Sequence, residues 1–450
     1  MVERSSQPCP GNENNKSYLF ASRLIVMIAS ATVVVMFLSL APDNLLNKRC
    51  GDCETYYVPI AKNLLAGQGL VTSNGRPALE RPPGHALILA TVIGIGRVFK
   101  LEQQKAVYIF NTLAISLSTL LLFSIARRYW GLMSSLIVAG LWGLSPFLLW
   151  FSNQPYSEIP FFLTLFGSVY SFLSATERPQ PSLSMLILSA SLLGVSMLIR
   201  PIAYGLVVVF IIVYWVSNHR HSHVHRFIVI GTVVLCIIAI VGSWIAFTHK
   251  KNSSFLRESS SMITRLSLIE GLTFGVRQKD YRQGINLTPE VKLFMEDMDE
   301  IFSNYDNLPN GKVLYGPGGE YDIQKPWNIV RIASNHLHQT PTTAIKFVLF
   351  KARRSWYGTD SNKNEKISAP LQIFYLSLII PALVAGLFSK KTRSFVFLVA
   401  GITAYFWFMA IVNTPLVRFM IPTLGLLFTL VPGIWVILGP SIYRKLRHER

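Results

Sequence analysis

Long runs without a single charged residue, each closed by a basic or acidic position, divide this chain. They lie at Leu24–Pro42, Ala106–Ala126, Leu132–Ser157, Ile159–Thr176, Pro179–Ile199, Pro201–Asn218, Phe227–His249, Ile367–Ser389, Ser394–Val417 and Phe419–Tyr443. Each supplies the roughly 17–25 apolar residues needed to cross hydrocarbon as a helix. The pattern predicts an all-α polytopic membrane protein with about ten spans. One further run, Pro82–Gly96, opens with Pro82-Pro83-Gly84 and ends Gly94-Ile95-Gly96. At about 1.5 Å per residue it barely reaches across a ~30 Å core.

The basic residues decide how that short run lies. If it does not cross, Arg127-Arg128, Arg178, Arg220, Arg226, Lys390-Lys391, Arg393 and the tail Arg444, Lys445, Arg447 and Arg450 all gather on the N-terminal side. The opposite short loops then hold almost nothing basic beyond Arg200 and Arg418. Positive charge marks the cytoplasmic face, so Pro82–Gly96 is read as a helix in the outer interface, with both termini cytoplasmic. Leu24–Leu40 is long for a signal core and lacks a clean small-residue cleavage site, which predicts a permanent first span.

The expected organisation is a tail over 1–23, a membrane core over 24–249 with an outer loop at 43–105, an outer segment over 250–366, further spans over 367–443 and a tail over 444–450. Within the long outer segment, Thr288-Pro289-Glu290 signals a helix start. Val291, Phe294, Met295, Met298, Ile301 and Phe302 then follow at helical spacing. Thr340–Tyr357 mixes Ile345, Val348 and Leu349 with Lys346, Lys351, Arg353, Arg354 and Trp356, the composition of an amphipathic helix on a lipid surface.

Composition agrees with lipid as the solvent. Hydrophobic residues make up 51% of the chain and charged residues 14%, and mean hydropathy is +0.40. A formal charge of +19 would suit nucleic acid if it formed one stripe or tail, but here it punctuates apolar runs. Cys9, Cys50, Cys53 and Cys236 form no zinc-site grouping and are too few for a disulfide scaffold. Cys50 and Cys53 are read as a small structural disulfide or a chance pair, and His219, His221, His223 and His225 as an incidental cluster on a cytoplasmic turn.

Candidate chemistry concentrates in the first outer loop. Gly51-Asp52-Cys53-Glu54-Thr55-Tyr56-Tyr57 is followed by Ala61-Lys62-Asn63-Leu64-Leu65-Ala66-Gly67-Gln68-Gly69, and then by Glu80-Arg81-Pro82-Pro83-Gly84-His85. Carboxylates beside an arginine at a membrane surface suit a reaction on an anionic lipid: the carboxylate takes a hydroxyl proton and the guanidinium grips phosphate oxygens. On composition alone a solvated polar loop is the commoner explanation. Pro59 breaks any helix running on from Asp52, so the helix is expected to start near Val58.

Asp-x-x-x-Tyr, Ala-x-Asn-Leu-x-x-Gly-x-Gly and Arg-Pro-Pro-Gly, in that order, resemble the signature of the C-type membrane glycosyltransferase superfamily. The closest likeness is to its bacterial protein O-mannosyltransferase and aminoarabinose-transferase branch. The resemblance continues at Tyr156-Ser157-Glu158-Ile159-Pro160, Leu198-Ile199-Arg200-Pro201 and Val417-Arg418-Phe419-Met420-Ile421-Pro422, and is weak over Lys250–Lys366. It implies sugar transfer from a polyprenyl-phosphate carrier to a lipid, glycan or protein acceptor outside the cytoplasmic membrane, by inversion at a carboxylate base, in a bacterial inner membrane. Residue by residue it makes Asp52 the base, with Glu158 in support. Glu80 falls at a metal-site position and Arg81 on lipid phosphate.

Relatives carry adjacent Asp-Glu where this chain has Asp52-Cys53-Glu54, which leaves the partner of Asp52 open. Arg200, Arg418, Arg353 and Arg354 are the further phosphate-binding candidates, and Tyr56 and His85 the substrate contacts. A divalent metal is left open, with His336 and His338 as distant candidates. Two rivals share the pattern: a transporter or flippase of lipid-linked sugars, and a non-catalytic membrane scaffold. Transporters place charge near the midplane and repeat their halves. Here the charges sit at helix ends and no halves repeat.

Overall fold

The computed structural model describes residues 12–42, 50–51, 53–78, 81–177, 180–217, 222–251, 268–273, 287–306, 314–316, 319–321, 326–359, 362–390 and 392–435. Among these, six helices are long and apolar enough to span a membrane: Ser17–Leu40, Gln103–Tyr129, Glu158–Thr176, His223–Phe247, Lys363–Phe388 and Arg393–Val412. They belong to α1 (Asn12–Leu40), α4 (Gln103–Tyr129), α7 (Glu158–Thr176), α10 (His223–Ile237, continuing through a π-helical turn into α11, Ser243–Lys251), α15 (Asn362–Phe388) and α16 (Arg393–Val412). The chain is an integral, multi-pass membrane protein.

The expected single span Leu132–Ser157 is instead a bent pair, α5 (Leu132–Gly143) and α6 (Pro146–Ser152), which meet at 53°. Pro146 has no N–H to continue the ladder and pushes Ser145 to an extended ψ of 121°, so the helix turns there. α8 (Leu183–Ile199) and α9 (Leu206–Ser217, after a 3-10 turn at Pro201–Ala203) are apolar but shorter. The last run begins as α17 (Ile421–Phe428), where every residue is buried, and passes into turns. Its remainder lies outside the described residues.

The core is aromatic and cross-linked by small polar bonds. Trp142 meets Phe162 and Phe166 edge-on at 5.4 and 5.3 Å, and its indole N–H donates to Ser118 Oγ at 3.0 Å. α7 and α8 form the tightest helix pair. The hydroxyls of Ser168 and Ser189 each donate to the other's carbonyl at 2.9 Å. Small residues let the two backbones approach, and hydroxyls then bond across in a medium that offers no water.

Two smaller layers cover one end of this bundle. The first comprises α2 (Val58–Leu65) and α3 (Gly84–Val98), which pack on each other and on α4. α2 starts at Val58 with Pro59 in its first turn, preceded by a π-helical turn over Cys53–Tyr57. The wider turn carries the chain into the helix where Pro59 has no N–H to give.

The second layer holds α12 (Pro289–Asp306), a short hairpin of β1 (Leu314–Gly316) and β2 (Gly319–Tyr321), α13 (Pro326–Gln339) and α14 (Pro341–Arg354). Val291, Phe294, Met295, Met298 and Phe302 are all 2% exposed or less and form a core of their own with Ile329, Ile332, Phe347 and Phe350. α14 turns Ile345, Val348 and Leu349 outward and buries Lys351 and Arg354. Its exposed face thus mixes these three apolar residues with Lys346 and Arg353, as contact with a lipid surface allows.

Candidate active site

Four of the sequence motifs meet where α3 and α7 begin and α8 ends. α8 stops at Arg200 because Pro201 disfavours a helical residue before it, and Arg200 takes an extended backbone with φ −140° and ψ 113°. That swings its side chain off the helix axis and into an ion pair with Glu158, the first residue of α7. Glu158 is 4% exposed and Arg200 12%. A carboxylate on the first turn of a helix also faces the positive end of the macrodipole.

Gly84 locks the second motif onto this corner. A Cβ there would fall 2.7 Å from both the carbonyl carbon and oxygen of Leu198, so only glycine lets α3 begin against the end of α8. One residue on, His85 is 1% exposed and its Nε2–H donates to Pro155 O at 2.8 Å. Nδ1 is buried and has no hydrogen-bond partner among the described residues. A second ring proton would sit there unsatisfied, so the imidazole is held neutral. Burial pushes its pKa down to about 4, against the smaller raising effects of the Pro155 carbonyl and Glu158.

From His85 a chain of contacts leads to the first outer loop. Its ring meets Tyr57 edge-on at 4.7 Å, and Tyr57 meets Tyr56 at 5.3 Å. The Arg81 guanidinium stacks over both tyrosines, 5.1 Å from Tyr56 and 5.6 Å from Tyr57, while its backbone N–H donates to Tyr56 Oη at 3.1 Å. Cys50 and Cys53 are joined in a disulfide with both residues buried. Glu54 is exposed. Asp52 and Glu80 lie outside the described residues.

The fourth motif arrives from the C-terminal half. Arg418 sits in a 3-10 turn, Val417–Phe419, with its guanidinium 5.2 Å from the Phe419 ring. The Arg200 guanidinium lies 5.8 Å from the same ring, and Glu158 feels the charge of both arginines. The Nε of Arg418 is buried without a hydrogen bond among the described residues. The charge of two guanidinium groups therefore falls on one buried carboxylate, and among the described residues the corner holds more positive than negative charge.

Arg354 was expected on phosphate, but its partners are protein groups. It pairs with Glu365 and donates to Pro415 O and Thr359 O, each at 3.1 Å. Sequence reading missed this because Thr359 and Glu365, although close in sequence, come back to Arg354 only after the chain leaves α14, and Pro415 arrives from far along the chain. Arg353 is exposed on α14. His336 bonds Asp297 at 3.2 Å on the outer layer, and no group of three metal-ligating side chains occurs among the described residues. Of the histidine run 219–225, His219 and His221 lie outside the described residues. Lys351 is the functional-looking residue that the sequence did not single out. It is 2% exposed, and its amine donates to Gly271 O at 2.9 Å and Val412 O at 3.3 Å. Its chemistry is to tie the outer layer to the end of α16.

The fold is shared with a solved oligosaccharyltransferase. The oligosaccharyltransferase AglB of Archaeoglobus fulgidus, solved with an inhibitory peptide and a dolichol-phosphate, aligns over 97% of this chain and 52% of its own, at 12% identity and a TM-score of 0.50. The chain thus spans about half the length of that protein. ArnT of Cupriavidus metallidurans, solved bound to undecaprenyl phosphate, aligns more loosely over 94% of this chain and 80% of its own, at 15% identity and a TM-score of 0.40. Residues 80–245 match the family described as dolichyl-phosphate-mannose-protein mannosyltransferase. That interval carries Arg81, His85, Glu158 and Arg200 and stops short of Asp52 and Arg418. Family pattern and fold support the C-type glycosyltransferase superfamily and its protein-mannosyltransferase-like branch. No curated protein matches the chain significantly in sequence.

Proposed function

We propose that this protein transfers a sugar from a polyprenyl-phosphate donor to an acceptor hydroxyl on the outer face of the cytoplasmic membrane, with inversion at the anomeric carbon. The observation that carries the reading is the corner where Arg200 and Arg418 share Glu158. The corner is apolar-walled and keeps net positive charge at a helix end, which suits a phosphate. In the reaction the acceptor oxygen bonds to the anomeric carbon as the bond from that carbon to the phosphate oxygen breaks. The acceptor proton passes to Asp52, and the electron pair leaves on polyprenyl phosphate. Negative charge grows on the phosphate in the transition state, so preorganised guanidinium groups in a dry site lower the barrier.

Glu158 orients Arg200 and keeps the arginine pair from repelling when no donor is bound. Arg81, held flat on Tyr56 and Tyr57 beside His85, extends the cationic rim toward the loop that bears Asp52, Glu54 and Glu80. Glu80 is the residue of this loop that would ligate a divalent cation, and Arg353 is the further rim candidate on α14. The test is incubation of the purified protein in lipid with a panel of polyprenyl-phosphate sugars and acceptors. Release of polyprenyl phosphate matched by glycosylated acceptor is expected. Translocation of intact lipid-linked sugar with no release would establish the transporter instead.

A further inference from the structure

At the far end of the same helices, three arginines close around a cavity that the reaction does not use. It measures about 240 Å³ and lies between α1, α4 and α7, with Arg23, Arg127, Arg128 and Tyr170 among its walls and Leu19 and Phe123 completing an apolar side. Tyr170 stands more than three turns along α7 from Glu158, about 18 Å at 1.5 Å per residue. The cavity is therefore on the opposite membrane face from the candidate active site.

The charges in its wall do not cancel. Arg128 is compensated: it pairs with Glu177 at 3.0 Å, donates to Ser174 Oγ at 2.6 Å and stacks 5.1 Å over Tyr170. Arg127 makes only a long bond to Trp130 O at 3.4 Å. Both stand in the last turn of α4, where the helix dipole favours a cation, so their positions alone need no ligand.

Arg23 is different. It lies inside the apolar span Ser17–Leu40, about 9 Å from the start of that span. Its Nε is buried without a hydrogen bond, and among the described residues it forms no ion pair. A guanidinium that merely escaped to the interface would turn its nitrogens outward to water. This one is half-buried, keeps its Nε out of water and lines the cavity beside Arg127.

We propose that this cavity binds the phosphate of an anionic membrane phospholipid, with Arg23 and Arg127 on the phosphate and Leu19 and Phe123 against the glycerol and upper acyl chain. The ligand class follows from the walls. A phosphate ester meets two guanidinium groups that form no ion pair among the described residues, and a cavity between membrane helices with one apolar side opens to lipid more readily than to a soluble anion.

Native mass spectrometry of the full-length protein in detergent tests this, with short-chain phosphatidylglycerol, phosphatidylcholine and inorganic phosphate added in separate titrations. Phosphatidylglycerol is expected to be retained in preference to phosphatidylcholine. Arg23→Gln should weaken its binding about tenfold or more, as loss of a charge-assisted phosphate contact does. Arg23→Lys should recover part of the loss. Lys390→Gln, the same charge change in the exposed α15–α16 loop, should leave binding unchanged. If Arg23→Gln is not recovered folded, the exposed Arg127→Gln gives the same readout. Equal retention of the two lipids, or unchanged binding in the arginine variants, would overturn the proposal. Inorganic phosphate displacing phosphatidylglycerol from the parent would assign the cavity to a soluble anion and overturn it as well.

Discussion

Two buried arginine–glutamate pairs sit at the same end of this molecule and do different work. Arg354 with Glu365 is closed by protein groups: its Nη1 and Nη2 also donate to the carbonyls of Pro415 and Thr359, although its Nε is buried without a hydrogen bond among the described residues. Arg200 with Glu158 is open, because the charge of a second guanidinium, Arg418, also falls on that carboxylate while Arg418 itself forms no hydrogen bond or ion pair among the described residues. The first pair is architecture, since both Nη atoms of its guanidinium are already held by protein groups. An open pair is a receptor. The two are also coupled. Arg354 holds Pro415, and Gly358, four residues on, accepts from the Val417 N–H at 2.7 Å, so the clamp sets the turn that presents Arg418.

The largest effect should come from breaking the clamp. Arg354→Ala leaves Glu365 and two carbonyls buried without their donor, a loss of about 3–5 kcal/mol. Thermal unfolding in lipid should register it directly, and turnover should fall only as far as folded protein is lost. Arg418→Gln should do the reverse. Its stability should change by less than about 1 kcal/mol, because an excess like charge is being removed, while kcat/KM falls roughly tenfold to a hundredfold for a lost charge-assisted phosphate bond. If Arg418→Gln unfolded the protein and Arg354→Ala were mild, the assignment of the two pairs would be inverted.

A smaller effect sharpens the same corner. His85 is neutral in the fold, with burial holding its pKa near 4, whereas in the unfolded chain it titrates near 6.5. The unfolded chain takes up a proton first as the pH falls. The stability that His85 contributes is therefore whole above pH 6.5 and is lost as the pH drops through about 4. His85→Gln keeps a donor for Pro155 O without the titration. The difference in melting temperature between parent and variant should change across that window and be flat above it. A difference that did not vary with pH would mean the ring is not held neutral.

Much of this was legible in the chain, for physical reasons. Charge-bounded apolar runs locate membrane helices because lipid tolerates little else, and the stripe from Val291 to Phe302 marked a buried face. Motif order brought Arg81, Glu158, Arg200 and Arg418 to one end of the bundle in expectation, and the fold places them there. Three things were not legible. The bend at Ser145 hides in an unbroken apolar run, because hydropathy records composition and not the missing N–H of Pro146. Arg354 reads like any basic residue on an amphipathic helix, because Thr359 and Glu365 lie beyond the helix end, outside its periodicity, and Pro415 is distant in sequence. The cavity at Arg23 needs three helices to exist, and no single stretch of sequence contains it.

The central claim, glycosyl transfer with Asp52 as the base, is tested most directly by pairing a donor-binding measurement with single-turnover transfer in Asp52→Asn. Asparagine keeps the size and removes the basic lone pair. Donor binding should therefore stay near the parent value while the transfer rate drops roughly 10²–10⁴-fold. Arg81→Ala, run in parallel, should lose both, because a phosphate contact acts in the ground and transition states alike. Glu54→Gln reports whether the second carboxylate shares the role. Transfer at the parent rate in Asp52→Asn would contradict the account.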